Sequence, residues 1–300
     1  MLKRYEPLAA VFKAEQILEN EPMSRHTTFR VGGPADIAVL PASPEEAIRA
    51  MQICRENGIP YVVLGNGSNV IVRDGGIRGA VILIGEAMSR VRIEGTRITA
   101  EAGISLAKLA AAALNEGLTG LEFASGIPGT LGGGCAMNAG AYGGQLSDVL
   151  EWADVYMDGR IRRLTNAEME MGYRSTRPLR EGGIVLRACF ALKPGDKERI
   201  SETMRDLNAR RRDKQPLNFP SAGSTFKRPE GHFAGALIQE AGLKGRTVGG
   251  AQVSEKHAGF IINIGGASAA DILELIRQVR DEVLRASGIH LETEVRVLGE

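Results

Sequence analysis

Residues 123–147 read Phe-Ala-Ser-Gly-Ile-Pro-Gly-Thr-Leu-Gly-Gly-Gly-Cys-Ala-Met-Asn-Ala-Gly-Ala-Tyr-Gly-Gly-Gln-Leu-Ser, without one charged side chain. A stretch so small and glycine-rich cannot build a core of its own. Glycine permits positive φ and lets backbone N–H groups approach a ligand, which is how proteins hold a pyrophosphate without cationic side chains. A plain loop of tight turns is the alternative, but structureless loops beyond ~12–15 residues are usually functional. The stretch reads as a ligand cradle.

Working outward, the rest of the chain can supply the missing core. Its 300 residues suit two or three compact units, and 43% apolar with 24% charged residues specify a folded globular protein. A net charge of +1 gives no electrostatic case for nucleic acid or an acidic membrane surface. The basic run 210–214 is short enough to be a solvated helix end. Cys54, Cys135 and Cys189 contain no Cys-x-x-Cys pair, which argues against zinc-ribbon and thioredoxin chemistry and fits a reducing compartment. His26, His232, His257 and His290 show neither metal-ligand spacing nor triad order, so no metal is expected. The first residues lack the apolar run of a signal peptide, and no segment reaches the ~18–20 apolar residues of a membrane span. A cytoplasmic protein is expected.

Periodicity gives mixed elements. The first ~20 residues read as an entry helix, followed by short strands at 27–31 and 37–40. Ser43-Pro44-Glu45-Glu46 is a capped helix start, with Ala47, Ile48, Met51 and Cys54 as the buried stripe and Gly58 as the stop. Strands follow at 61–64, 70–72 and 81–84, a hairpin at 91–93 and 97–100, and a helix at 105–116. Beyond the cradle come strands around 152–156, 160–164 and 184–190, then a helix at 197–212. After Pro220 the pattern gives a helix at 232–240, a strand at 260–264 and an amphipathic helix at 270–286. The chain closes with an alternating strand over 291–297. Without regular βαβ alternation the class is α+β, with a boundary between Pro194 and Pro220.

Gly65-Asn66-Gly67-Ser68-Asn69 follows a predicted strand, yet it is no dinucleotide fingerprint, because Val70 stands where the third glycine belongs and no helix opens there. Its glycines with Ser and Asn donors can still grip phosphate oxygens. Two glycine-rich segments suggest one long ligand, and a dinucleotide cofactor has that length. Ser224, Arg174 and Glu294 taken singly read as a turn serine, a loop arginine and a surface carboxylate. No Gly-x-Ser-x-Gly elbow surrounds Ser224, which argues against a hydrolase nucleophile.

Together, Thr27-Thr28-Phe29-Arg30-Val31-Gly32-Gly33, the 65–69 motif, Ile127-Pro128-Gly129-Thr130, Asn138-Ala139-Gly140-Ala141-Tyr142-Gly143, Gly172-Tyr173-Arg174, Gly223-Ser224-Thr225-Phe226-Lys227 and Glu294-Val295-Arg296 strongly resemble the UDP-N-acetylenolpyruvoylglucosamine reductase family. The motifs stand in the family's order over nearly the whole chain. The resemblance implies three domains: 1–87 and 88–198, forming a vanillyl-alcohol-oxidase-like FAD-binding unit, and an α+β substrate-binding domain at 199–300. It implies non-covalent FAD held by Gly65, Asn66, Gly67, Ser68, Asn69, Ser125, Gly126, Ile127, Pro128, Gly129, Thr130, Gly133, Ala139 and Gly140. NADPH is the implied co-substrate and UDP-N-acetylglucosamine enolpyruvate the implied substrate.

In the implied reaction NADPH reduces the flavin, hydride passes to C3 of the enolpyruvyl ether, and a proton must reach C2. Ser224 matches the proton donor, while Arg174 and Glu294 match the partners at the substrate carboxylate. Arg211, Lys214 and Lys227 match positions that hold anionic parts of the substrate. Arg228 stands where one branch of the family has asparagine, and 174–215 is too short for that branch's substrate-covering loop. The chain therefore resembles the shorter subtype. Two rivals use the same cradle. One is an oxidase of another alcohol or sugar, which needs no Ser224, Arg174 and Glu294 together; the other is a noncatalytic flavin or nucleotide carrier.

Overall fold

The computed structural model describes residues 3–300, and its contacts divide the chain into two compact units. The first comprises the N-terminal stretch to Leu18, Ala38–Asn66 and Ala80–Arg211; the second comprises Glu19–Ile37, Gly67–Gly79 and Arg212–Glu300.

In the first unit Tyr61–Leu64 pairs in parallel with residues 80–83, from Tyr61↔Ala80 to Leu64↔Leu83. The Pro44–Glu56 helix starts as its sequence demands, with the Ser43 side chain accepting from the Glu46 N–H at 3.2 Å. A five-stranded antiparallel sheet runs in the order Arg160–Thr165, Leu150–Met157, Ile184–Ala191, Arg97–Glu101, Val91–Glu94. Against it the Leu106–Asn115 helix buries Leu106, Leu109, Ala110 and Ala113 in a core shared with Leu131, Cys135, Val155 and Phe190. On Leu150–Met157, Asp154 is buried between Arg163 and Arg187, and Arg163 stacks 3.6 Å over the Trp152 ring. Burial opposes the Asp154 charge, but the two guanidinium hydrogen bonds outweigh it and hold the carboxyl below its ordinary value.

In the second unit a three-stranded antiparallel sheet, Thr247–Val248, Ala251–Val253 and Ile261–Asn263, packs with the Ala269–Ser287 helix. That helix buries the expected stripe of Ile272, Leu275, Ile276, Val279 and Val283 and ends at Gly288, whose φ of 72° only glycine adopts freely. Its start is capped twice. Ser268 and Asp271 form a capping box, and the Asp74 carboxylate accepts from the N–H groups of Ala269 and Ala270 at 2.8 and 2.9 Å.

Three expected elements differ. The entry helix is reduced to Glu6–Ala9, and its first two positions lie outside the described residues. From Ile17 the chain is strand, drawn in where the Leu40 N–H reaches the Gln16 carbonyl at 2.9 Å. Residues 27–31 form no strand. Thr27 Oγ1 donates to the Val31 carbonyl and Arg30 takes φ +57°, which closes a local turn instead. Over 291–297 the alternation survives as burial of Leu291 and Val295, but ladder pairing is confined to Arg296–Leu298, parallel to Val70–Val72.

Candidate functional site

Inside the first unit Gly65, at the start of the shorter glycine-rich segment, lies against the longer one. A Cβ on Gly65 would lie 2.2 Å from Oγ1 of Thr130, whose residue is 2% exposed. Thr130 is fixed because 129–132 lies beside 102–106: the Leu106 N–H donates to Gly129 O, Leu131 to Ile104 O and Gly132 to Ala102 O. The glycine content of this stretch predicts no regular structure, but Leu131–Met137 is a helix. Two of its glycines serve close packing: a Cβ on Gly132 would come 2.9 Å from Ala102 Cβ, and one on Gly134 would meet Leu106 and Leu146 at 3.1 and 3.2 Å. Cys135 is buried, and burial pushes its thiol up to about 12, so it is an inert packing group.

The helix ends at Asn138 in the left-handed conformation (φ +45°), 2% exposed. Its side chain donates to Gln145 Oε1 and to the Gly172 carbonyl, and accepts from the Ser147 N–H at 3.1 Å. Gly140–Ala141 and Gly144–Gln145 then pair across Tyr142 and Gly143, both at positive φ (55° and 88°). A tight hairpin asks for that geometry, but from a tyrosine it takes roughly 1 kcal/mol of strain. Tyr142 stands exposed there. Gly172 and Ser175 bridge each other about Tyr173 and Arg174, and Thr176 Oγ1 donates to the Ala136 carbonyl at 2.8 Å. Arg174, at φ +53°, thus sits on a turn tied twice to the C-terminal end of the cradle helix, its guanidinium 5.1 Å from the Tyr173 ring centre.

Gly67, Ser68 and Asn69 belong to the second unit. Gly67 (φ +58°) lies so close to His26 that a Cβ would come 2.0 Å from its carbonyl oxygen. Asn69 donates through Nδ2 to the Glu294 carbonyl at 3.2 Å and accepts at its own carbonyl from the Arg296 N–H at 3.0 Å. The 221–227 segment runs past the same stretch: Glu294 N–H donates to Thr225 O, Lys227 N–H to Glu292 O, and Phe226 bridges Thr293. Buried Thr225 accepts from the Ile261 N–H, which leaves the neighbouring Ser224 exposed after Gly223 at φ +74°.

Of the predicted anion-holding residues, Arg211 is half-buried in the Lys197–Lys214 helix, and burial lowers its proton affinity while Tyr142 partly opposes this. Lys214 is exposed at the helix end. Lys227 pairs with Glu292 at 2.9 Å, holding that carboxyl below its usual range. Asn138, Thr176 and Asn208 were passed over as functional candidates; Asn138 alone lay within a quoted motif. No group of three or more His, Cys, Asp or Glu able to hold a metal occurs among the described residues, and no described helix is long and apolar enough to cross a membrane.

The residues fit FAD: the cradle is charge-free and backbone-lined, and the nearest atom to a Cβ on exposed Gly133 would be Thr130 Oγ1 at 3.7 Å. Comparison with known proteins gives the families to which these parts of the chain are similar. Residues 35–165 match the FAD binding domain family, and residues 215–298 match the C-terminal domain of UDP-N-acetylenolpyruvoylglucosamine reductase. The reductase of that name from Alkaliphilus oremlandii is 52% identical over 300 residues, covering 100% of this chain and 99% of its own. That from Heliobacterium modesticaldum is 52% identical over 287 residues, covering 95% and 91%. The crystal structure of the Thermus caldophilus reductase superposes with a TM-score of 0.81 at 38% identity, over 94% of this chain and 97% of that one. An alkyldihydroxyacetonephosphate synthase shares the fold alone, with a TM-score of 0.51 at 18% identity over 65% of this chain and 41% of its own.

Proposed function

The chain belongs to the UDP-N-acetylenolpyruvoylglucosamine reductase family, and from that premise we propose that Ser224, Arg174 and Glu294 carry its chemistry. It is an FAD-containing, NADPH-dependent oxidoreductase of peptidoglycan precursor synthesis, with a vanillyl-alcohol-oxidase-like FAD-binding fold. The family's reaction excludes the oxidase and carrier readings. Gly65 to Asn69, Ser125 to Thr130, Gly133, Ala139 and Gly140 would hold the FAD, which when bound supplies hydride to the unsaturated ether. Residues 1–87 and 88–198 would make the FAD-binding part and 199–300 the substrate-binding part. The enzyme would work in the cytoplasm, and through cell-wall building it would bear on cell shape and division.

The chain's own residues have three tasks. Arg174 holds the substrate carboxylate and stabilises the negative charge that gathers beside it, a preorganised effect of ~3–4 kcal/mol. Ser224 delivers a proton to C2; a hydroxyl is a weak acid, so the developing carbanion must draw the proton from it. Glu294 assists as a proton-bearing or hydrogen-bonding group. Arg211, Lys214 and Lys227 hold anionic parts of the sugar nucleotide. One observation supports the assignment: Arg174's turn is tied to the cradle by Asn138, and Glu294's backbone to the 65–69 motif by Asn69.

The test uses the purified holoenzyme. NADPH oxidation should accelerate on adding the enolpyruvyl sugar nucleotide, and Ser224→Ala should retain flavin reduction while losing product formation. Full turnover by Ser224→Ala would overturn its role. Glu294→Gln should alter the pH profile of turnover; an unchanged rate and profile would remove Glu294 from the chemistry.

A further inference from the structure

The Lys197–Lys214 helix presents a polar latch to the cradle. Ser125 Oγ donates its proton to the Glu122 carbonyl at 2.8 Å, so toward Asn208 it can only accept, and Asn208 Nδ2 donates to it at 3.1 Å. That bond fixes the amide's orientation. Asn208 Oδ1 is turned over Gly126, 2.4 Å from where a Cβ would lie, and Arg211, three residues on along the same helix face, lays its Cδ 3.1 Å from the same point. Gly126 has no positive φ, so its missing side chain serves this approach of the helix rather than a turn.

Apolar packing does little to fix this end of the helix. Ile200 is its buried residue, with Met204 and Leu207 partly buried. The Arg211 guanidinium has no hydrogen bond or ion pair to a side chain among the described residues, with Tyr142 its electrostatic neighbour, although it is half-buried beside a charge-free segment. A guanidinium in that setting is complete only when an anion joins it. Its aim depends on the stem below it, and the stem depends on the latch.

We propose that Asn208 is a positioning residue: through Ser125 it locks the helix to the cradle and so aims the Arg211 guanidinium at a diphosphate. The inference rests on the reading of the cradle and of Arg211 given above. The diphosphate belongs either to the sugar nucleotide or to the flavin dinucleotide, and the two separate by experiment.

Steady-state kinetics and FAD release are measured on holoenzyme variants. Asn208→Ala should raise KM for UDP-N-acetylglucosamine enolpyruvate about tenfold with kcat nearly unchanged, and adding Ser125→Ala to it should raise KM no further. The same non-additive pattern in FAD release instead would assign the diphosphate to the flavin. Asn208→Asp sharpens the test. Its carboxylate cannot donate to Ser125, and at i,i+3 it captures Arg211, so KM should exceed that of Asn208→Ala. A purely packing role would give the reverse order. KM and FAD release both unchanged within about twofold in Asn208→Ala overturn the proposal. If Arg211→Ala is equally silent, the anion-binding reading of Arg211 falls with it; if Arg211→Ala raises KM while Asn208→Ala does not, the latch alone is wrong.

Discussion

In the first unit, residues 123–147 carry no charge and press backbone against backbone; in the second, residues 221–227, which carry Ser224, run beside 292–296, and Lys227 pairs with Glu292. On the proposed reading the cradle would work through side chains that are missing. The Ser224 segment would work through side chains that are present, held up by buried Thr225 and Phe226. The two should therefore fail in opposite ways: the cradle when an atom is added, the serine segment when one is removed.

The largest effect is expected from the smallest deletion. Ser224→Ala takes away one exposed oxygen and leaves Thr225 and its bonds to Gly259, Ile261 and Glu294 in place. Loss of a positioned proton donor should lower kcat by about 10²–10⁴, while flavin reduction by NADPH and the melting temperature stay near those of the parent. A variant that also sheds flavin would break the contrast, because Ser224 would then belong to the cofactor's support.

Next comes an addition. Gly65→Ala places a methyl 2.2 Å from Thr130 Oγ1 and 3.1 Å from its Cγ2, and buried Thr130 has no room to retreat. Overpacking of this kind costs about 1–3 kcal/mol, and weakened flavin retention should appear with it in fluorescence release. Thr130→Ala in the same chain removes the two nearest atoms and should restore part of both. Failure of that rescue would mean that Gly65 is needed against the flavin itself rather than against Thr130.

Much of this was legible in the sequence. The helix over Pro44–Glu56 carried its own caps, and the stripe Ile272, Leu275, Ile276, Val279, Val283 declared the buried face of Ala269–Ser287. What stayed hidden was tertiary. Three glycines in Leu131–Met137 argue locally against helix; the close approach of Ala102 explains Gly132, and that of Leu106 and Leu146 explains Gly134. Asn138 stands in a motif of the resemblance, but nothing in one sequence says that its amide reaches Gly172. Asp74 capping Ala269 and Ala270 spans 195 residues of chain, beyond any local pattern. Thr27 to Val31 looked like a strand because β-branched and aromatic residues cluster there, but the Thr27 hydroxyl competed for the backbone and won.

Tyr142 tests whether strain in the cradle is kept for a purpose. Asparagine tolerates its positive φ far better, so Tyr142→Asn should raise stability by about 0.5–1 kcal/mol in denaturant unfolding. If turnover or substrate affinity falls at the same time, the exposed ring serves the reaction and the strain supports it. A gain in stability with full activity would make Tyr142 an incidental cost.

The smallest effect concerns charge in the second unit's framework. The Ser268 backbone N–H, with its hydroxyl and Gly250 in support, holds the Asp271 carboxyl below its ordinary value. Because the folded value is depressed, the capping contribution is fully present above the ordinary carboxylate range near pH 4 and is lost as pH falls through the folded value. Asp271→Asn should therefore cost about 0.5–1 kcal/mol at neutral pH and less in acid, so that the stability curves of parent and variant converge as pH drops. The charge-free cradle has no such group to protonate. Acid should loosen the Ala269–Ser287 helix start before flavin is released, and amide exchange at Ala270 and Ile272 followed beside flavin fluorescence reads both. Simultaneous loss would show that the cradle leans on carboxylates elsewhere in its unit, with buried Asp154 between Arg163 and Arg187 the first to examine.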